Sequence, residues 1–200
     1  MKKLLAVVII LICTMQVMAQ RITVIKNYEG GKAWYYKNGG FPAKPGDTVV
    51  MKGDYNYIYI NNLIGTAEKP IVFIADGKVN IGVDNSYSMI LGNSKFVKII
   101  GVNYNIIFGA PFGKPYSKQA FGFHGSDELE VTGCELRFSE VGFFSNPTTG
   151  NYKNINLHHN WIHDLDNPSD AGRSEAFYIG STSLSSRKNG GAFESVNITD

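Results

Sequence analysis

Four segments of this chain begin alike: Val97-Lys98-Ile99, Leu129-Glu130-Val131, Ile155-Asn156-Leu157 and Val196-Asn197-Ile198. Their starts lie 32, 26 and 41 residues apart. The first two continue as Ile100-Gly101-Val102-Asn103 and Thr132-Gly133-Cys134-Glu135, the third as His158-His159-Asn160-Trp161. An apolar-x-apolar run puts both apolar residues on one face of a strand. A unit this short cannot bury that face alone, so it must stack on its neighbours. Constant strands with variable loops therefore predict a coil of stacked parallel strands. Second strands are expected between the repeats, at 106–108, 141–144 and 177–179. Beyond residue 20 no long segment has the i, i+3, i+4, i+7 spacing of an amphipathic helix. Asp76-Gly77 comes nearest to a two-residue hairpin link, between 71–75 and 79–81, but the repeat favours a coil there too.

Composition narrows the class. Lys and Arg total 19 and Asp and Glu 17, a formal charge of +2. Lys2 and Lys3 fall in an apparent targeting segment, and without them the chain is neutral. A neutral chain lacks the basic face a nucleic-acid binder needs and the polybasic anchor of a membrane-surface protein. Gly is 22 of 200 residues and hydrophobic residues make up 44%, which fits a folded, turn-rich β protein and not a disordered one.

The first 19 residues read as an export signal. Met1-Lys2-Lys3 is basic, Leu4 to Cys13 is apolar throughout, and Val17-Met18-Ala19 offers a cleavage site before Gln20. The apolar run is shorter than the ~20 residues of a membrane span, and no later run is longer, so no transmembrane segment is expected. The chain is expected outside the cytoplasm: extracellular, periplasmic or at the cell surface. Cys13 would leave with the signal. Cys134 then stands alone, without an intramolecular partner, in a strand-and-turn setting that favours a buried inert thiol.

Further segments carry a resemblance. Pro45-Gly46-Asp47-Thr48-Val49 with Gly53-Asp54-Tyr55, then Gly65-Thr66-Ala67-Glu68-Lys69-Pro70-Ile71-Val72, are similar to the first turns of a known group. His158-His159-Asn160-Trp161-Ile162-His163-Asp164 and Glu175-Ala176-Phe177-Tyr178-Ile179-Gly180 are similar to its later coils. The chain resembles the right-handed parallel β-helix proteins of the pectate-lyase-like superfamily over roughly two thirds of its length. The resemblance implies an all-β solenoid: a signal at 1–19, a capping lead-in at 20–44 and a β-helix at 45–200. Val196-Asn197-Ile198 starts another coil and Asp200 stops it in mid-rung. A solenoid needs its end covered, so the expectation is an incomplete β-helix, with further coils or a capping partner beyond. The superfamily holds polysaccharide lyases, hydrolases, epimerases and non-catalytic adhesins, so the fold alone does not choose an activity. The expected function is polysaccharide processing, with β-elimination of an acidic glycan foremost. The alternative is a non-catalytic carbohydrate-binding or adhesin-like surface protein.

No catalytic motif of that superfamily matches residue by residue, so candidate sites come from residue chemistry. The densest polar stretch runs from His158 to Glu175. It supplies His163, Arg173 and Glu175 as candidate catalytic residues. A base must remove the proton beside a uronate carboxylate; His163 suits this better than Arg173, whose pKa exceeds ~12. Asp164, Asp166 and Asp170 offer the hard oxygens that Ca²⁺ prefers; the superfamily's uronate-cleaving enzymes often use such an ion to neutralise the substrate. The bland alternative is a solvated loop with local hydrogen bonds. His158 and His159, adjacent on a strand, should point to opposite faces and not share a zinc ion. Tyr55, Tyr57 and Tyr59 alternate with Asn56 and Ile58. If Ile58 and Ile60 face the core, the three tyrosines share the outer face, where aromatic rings stack on sugars. Trp161 joins them as a candidate substrate contact. Simple cross-strand packing, or cover by a loop holding Trp34, Tyr35 and Tyr36, is the competing account. Gly122-Phe123-His124-Gly125 resembles the Gly-His-Gly element of β-helix polygalacturonases. Their paired aspartates and Arg-x-Lys element are not found, and inverting hydrolysis needs two carboxylates, so His124 reads as a turn histidine.

Overall fold

The computed structural model describes residues 22–26, 34–82, 87–146, 151–166, 174–180, 192–193 and 195–199. The expected signal at 1–19 lies outside them, as do Asp170 and Arg173. The described residues form strands and turns, with no helix, and so no helix long and apolar enough to cross a membrane. In chain order the first strands are β1 (Ile22–Lys26), β2 (Trp34–Tyr36), β3 (Thr48–Lys52), β4 (Ile58–Asn61), β5 (Ile71–Ala75) and β6 (Val79–Ile81). Then come β7 (Tyr87–Gly92), β8 (Lys95–Ile100), β9 (Ile106–Phe108), β10 (Ser117–Gly122), β11 (Asp127–Thr132), β12 (Glu135–Leu136) and β13 (Ser139–Ser145). The last are β14 (Asn151–Tyr152), β15 (Ile155–His158), β16 (Trp161–Ile162), β17 (Glu175–Ile179), β18 (Ala192–Phe193) and β19 (Val196–Thr199).

Three parallel sheets collect most of these strands. A seven-stranded sheet runs β1-β3-β5-β8-β11-β15-β19, a six-stranded sheet β17-β13-β10-β7-β4-β2, and a four-stranded sheet β16-β12-β9-β6. From β5 onward the chain visits the seven-, the four- and the six-stranded sheet in turn, then begins again. Such stacking is compatible with a parallel β-helix. β5 and β6 lie in different sheets, so Asp76-Gly77 makes no hairpin. The second strands expected between the repeats divide: 106–108 belongs to the four-stranded sheet, 141–144 and 177–179 to the six-stranded one. The four-stranded sheet escaped the sequence pattern because β12 and β16 are two residues each, too short for any period to show.

The sequence repeat is the register of the seven-stranded sheet. Val97 pairs with Leu129, Leu129 with Ile155 and Ile155 with Val196. Two residues on, Phe73, Ile99, Val131 and Leu157 form a second file. Both files are buried from Ile71 and Phe73 through Ile155 and Leu157. Full burial of one such side chain stabilises by ~1.5–3 kcal/mol, so in-register files supply the cohesion that each unit lacks. On the opposite face the charges also align. Lys98 Nζ lies 2.7 Å from Glu130, and His158 Nε2 reaches the same carboxylate at 3.2 Å. Burial alone would raise the Glu130 carboxyl, but Lys98 and His158 hold it below its ordinary value.

The turns between the seven- and four-stranded sheets are tight. A Cβ on Gly101 would stand 2.1 Å from the Gly133 carbonyl oxygen, and one on Gly133 2.2 Å from that of Gly101. Asn160 reaches back over the same turn, accepting from the Cys134 N–H at 3.0 Å and donating to Val131 O at 2.9 Å. Cys134 is fully buried in the core cluster, as its sequence setting predicted, and burial pushes its thiol up to about 12.

Two outcomes follow from this packing. Gly101→Ala forces one turn off the next and is expected to cost about 1–3 kcal/mol, read as a lowered midpoint in chemical denaturation; an unchanged midpoint would contradict the close approach. The Cys134 thiol should react with a thiol reagent at neutral pH only after unfolding.

Candidate functional site

The six-stranded sheet carries a candidate site on its outer face. Its register aligns one residue from each strand into a file: Tyr35, Tyr59, Ile90, Gly122, Phe144 and Tyr178. The inward file beside it is Trp34, Ile58, Met89, Phe121, Phe143 and Phe177. Alternation along each strand therefore fixes the outer file by burying its neighbour. Tyr35 stacks on Tyr59 with centroids 5.5 Å apart, and Phe144 on Tyr178 at 5.2 Å with planes 10° apart. Aromatic pairs thus stand at both ends, with Ile90 and Gly122 between them.

Two depressions open along this file. One of about 330 Å³ is walled by Tyr35, Tyr57, Tyr59 and Tyr87, with Lys37 at its edge. The other, of about 410 Å³, is walled by Asn61, Asn93, His124, Phe144 and Asn146. Tyr59 is common to both. The Asn61 carboxamide is oriented by its Nδ2 donating to Lys37 O at 2.7 Å. The His124 ring packs edge-on to Phe144, centroids 5.2 Å apart. Burial lowers the pKa of His124 below its ordinary value, so the imidazole is neutral at pH 7. The site is therefore aromatic at its ends and amide-lined in the middle, with an uncharged imidazole among the amides.

The sequence-predicted residues separate. Tyr57 and Tyr59 line the groove, packed against Tyr35. Tyr55 does not share their face: it is fully buried, edge-on to Trp34 at 4.7 Å, with its hydroxyl accepting from the Lys52 N–H at 3.1 Å. The alternation expected over 55–59 breaks because Tyr55 bridges to Ile81 of the four-stranded sheet, while β4 starts at Ile58 in the six-stranded one. The chain turns a corner there. Trp34, Tyr35 and Tyr36 are a paired strand beside β4, not a covering loop. Glu175 opens β17, in register with Val141, Gln119 and Tyr87 of the same sheet.

Trp161 and His163 belong to a different face. Trp161 lies in β16 of the four-stranded sheet, 51% exposed, with the His163 ring stacked on it at 4.0 Å. Both His163 ring nitrogens meet carboxylates: Nδ1 lies 2.8 Å from Asp164 and Nε2 3.2 Å from Glu135. Glu135 is buried and also pairs with Arg137 at 2.8 Å. Asp166 is exposed, and its backbone N–H donates to Ser139 O. The described residues, which do not include Asp170, gather no group of three His, Cys, Asp or Glu side chains able to hold a metal ion. His158 and His159 do meet, their Nδ1 atoms 2.7 Å apart. The expected opposition fails because His159 has φ of 51°, which ends the strand's alternation at that residue.

Sequence reasoning missed Tyr35, Asn61, Asn93, Phe144, Asn146 and His124 as neighbours. They come from five different segments, Phe144 and Asn146 sharing one, and only the register brings them together. The alternation in Trp34-Tyr35-Tyr36 is the signal that would have placed Tyr35.

The burial of His124 gives a pH dependence with a definite sign. Above its ordinary pKa of 6.5 the histidine is neutral folded or unfolded. Below it the unfolded chain takes up a proton that the folded chain resists, so stability falls as pH falls until the folded pKa is reached. In denaturation midpoints measured from pH 7.5 to 5, the wild type should lose stability relative to His124→Gln as pH falls. Parallel curves would contradict the burial of a neutral imidazole.

A scan against family models finds no match to this chain, and searches of curated proteins and of solved structures return no similar protein.

Proposed function

We propose that this chain is an exported right-handed parallel β-helix protein that acts on polysaccharide, with the glycan lying along the outer face of the six-stranded sheet. The observation that carries the reading is the outer file itself. Stacked aromatic pairs at its two ends, Tyr35 on Tyr59 and Phe144 on Tyr178, offer flat apolar surfaces to the C–H faces of sugar rings. Asn61, Asn93 and Asn146 line the middle, and amide groups both donate to and accept from hydroxyls. A ribbon of stacked strands suits a chain-like ligand, because each added strand extends the surface by one ~4.8 Å step.

The reaction we assign is β-elimination of an acidic glycan. It needs a base to remove the proton beside the uronate carboxylate and a positive charge or hydrogen bonds to hold that carboxylate. Lys37 at the tyrosine end supplies a charge. Glu175 stands in the same sheet as the groove. His163 would have to release Asp164 or Glu135 before it could accept a proton, because each ring nitrogen already faces a carboxylate. Calcium enters this reading through Asp164, Asp166 and Asp170 alone. A second reading, a non-catalytic glycan-binding surface protein, is favoured by the same aromatic file, since stacking platforms serve binding whether or not a bond is broken.

The test is direct. The full chain is run in affinity gels containing polygalacturonate, alginate or neutral glucans, and the unsaturated product is followed by ultraviolet absorbance with calcium or chelator. Retardation by one of these polymers that weakens about ten-fold or more in Tyr59→Ala, a loss of ~1.4 kcal/mol or more, is the expected result. Retardation by none would sink the polysaccharide reading. A rise in absorbance separates the lyase from the binder, and loss of that rise in chelator is the outcome the calcium assignment requires.

A further inference from the structure

We infer that His124 is the general base of the groove, acting on a sugar ring seated in the amide-walled depression that it lines. The inference rests on the polysaccharide reading above and deepens it by naming the reacting position. In the outer file Gly122 is the one position without a side chain, flanked by Ile90 and Phe144. Gly122 is itself buried, because neighbouring side chains close over it. A Cβ there would meet Gln119 Oε1 at 3.2 Å, His124 Nε2 at 3.3 Å and Ile90 Cγ1 at 3.3 Å. The imidazole therefore lies against Gly122, and the room for a sugar ring is the depression beside it, bounded by Tyr59 and Phe144. The imidazole ring is held edge-on by Phe144 and lines the amide-walled depression with Asn61, Asn93 and Asn146.

The chemistry follows from that placement. With Nδ1 carrying the ring proton, Nε2 has a lone pair to accept one. Nε2 takes the proton from the carbon next to the uronate carboxylate. The electron pair of that C–H bond becomes a carbon–carbon double bond, and the glycosidic C–O bond on the adjacent carbon breaks. The departing oxygen takes the proton back from the imidazolium, which leaves His124 neutral for the next turn. One chain becomes an unsaturated uronate end and a free hydroxyl end, with nothing oxidised or reduced overall. His163 has no such lone pair facing outward, since Asp164 and Glu135 occupy its two nitrogens.

His124→Gln keeps a polar side chain of similar reach and removes the base; Gly122→Ala keeps the base and crowds its Nε2 with a methyl group. Both are assayed as the full chain on polygalacturonate and alginate, with ultraviolet product formation and affinity-gel retardation measured side by side and folding checked by thermal melting. The expected result is a kcat about 100-fold lower in His124→Gln with retardation retained, and a fall in kcat/KM in Gly122→Ala. Wild-type turnover left unchanged by both substitutions would overturn the role of His124 while leaving the polysaccharide reading in place. Retardation of the wild type without any product would also overturn it, in favour of the binder. Neither retardation nor product would overturn both.

Discussion

Everything in this fold depends on parallel strands stacking in register. A strand of four to six residues with two buried side chains has too little apolar surface to be stable alone. Ile71, Val97, Leu129 and Ile155 solve this by lying one above the next, so each covers the faces its neighbours would expose. The backbone ladder and the side-chain file enforce one another. A slip by one residue would bring Lys98 and Glu130 into the core and Val97 and Leu129 into water. The same register places Lys98 against Glu130 and Lys95 against Asp127. Those partly exposed pairs add only modest cohesion, but they penalise the wrong alignment.

Close stacking also explains where side chains are missing. Gly101 and Gly133 face each other's carbonyl oxygens at a separation that admits no methyl group. The tight turn they allow keeps the seven- and four-stranded sheets joined by few residues. Longer loops occur elsewhere, where the chain passes from the four-stranded to the six-stranded sheet, as at 109–116. Two hydroxyls trapped in the stack are answered locally. Ser94 donates to Gly92 O and Ser126 to Leu91 O, both within the buried interior, so the turns between the six- and seven-stranded sheets bury hydroxyls with partners.

A surface built this way is a translation of the register. Residues far apart in the chain become neighbours at one strand spacing, which is how Tyr59, Ile90, Gly122 and Phe144 form a single file. The fold thereby offers an extended face whose chemistry can vary from strand to strand without loss of the core behind it. The four-stranded sheet carries a second, different arrangement, where Trp161 covers a histidine held between two carboxylates. Its charges are satisfied among themselves, whereas the six-stranded face presents aromatic rings and amides.

The sequence by itself determined the all-β class, the parallel stacking and the alignment of Val97, Leu129, Ile155 and Val196. Each of these follows from local periodicity and from the need of a short amphipathic unit for a neighbour. It determined the inertness of Cys134 for the same reason, since that residue sits in an apolar turn of the repeat. It also gave Tyr57 and Tyr59 their outward direction. Tertiary structure alone decided where the chain turns corners. At Tyr55 a corner sends into the core a ring that simple alternation would have turned outward, and at His159 a positive φ swings one histidine onto another. It alone separated Trp161 from the tyrosines, and it alone put His124 beside Gly122 and Phe144. Strand direction is a local property and can be read from a few residues. Which sheet a strand joins, and which side chain it meets there, depends on loop lengths and on pairing partners that no local pattern encodes.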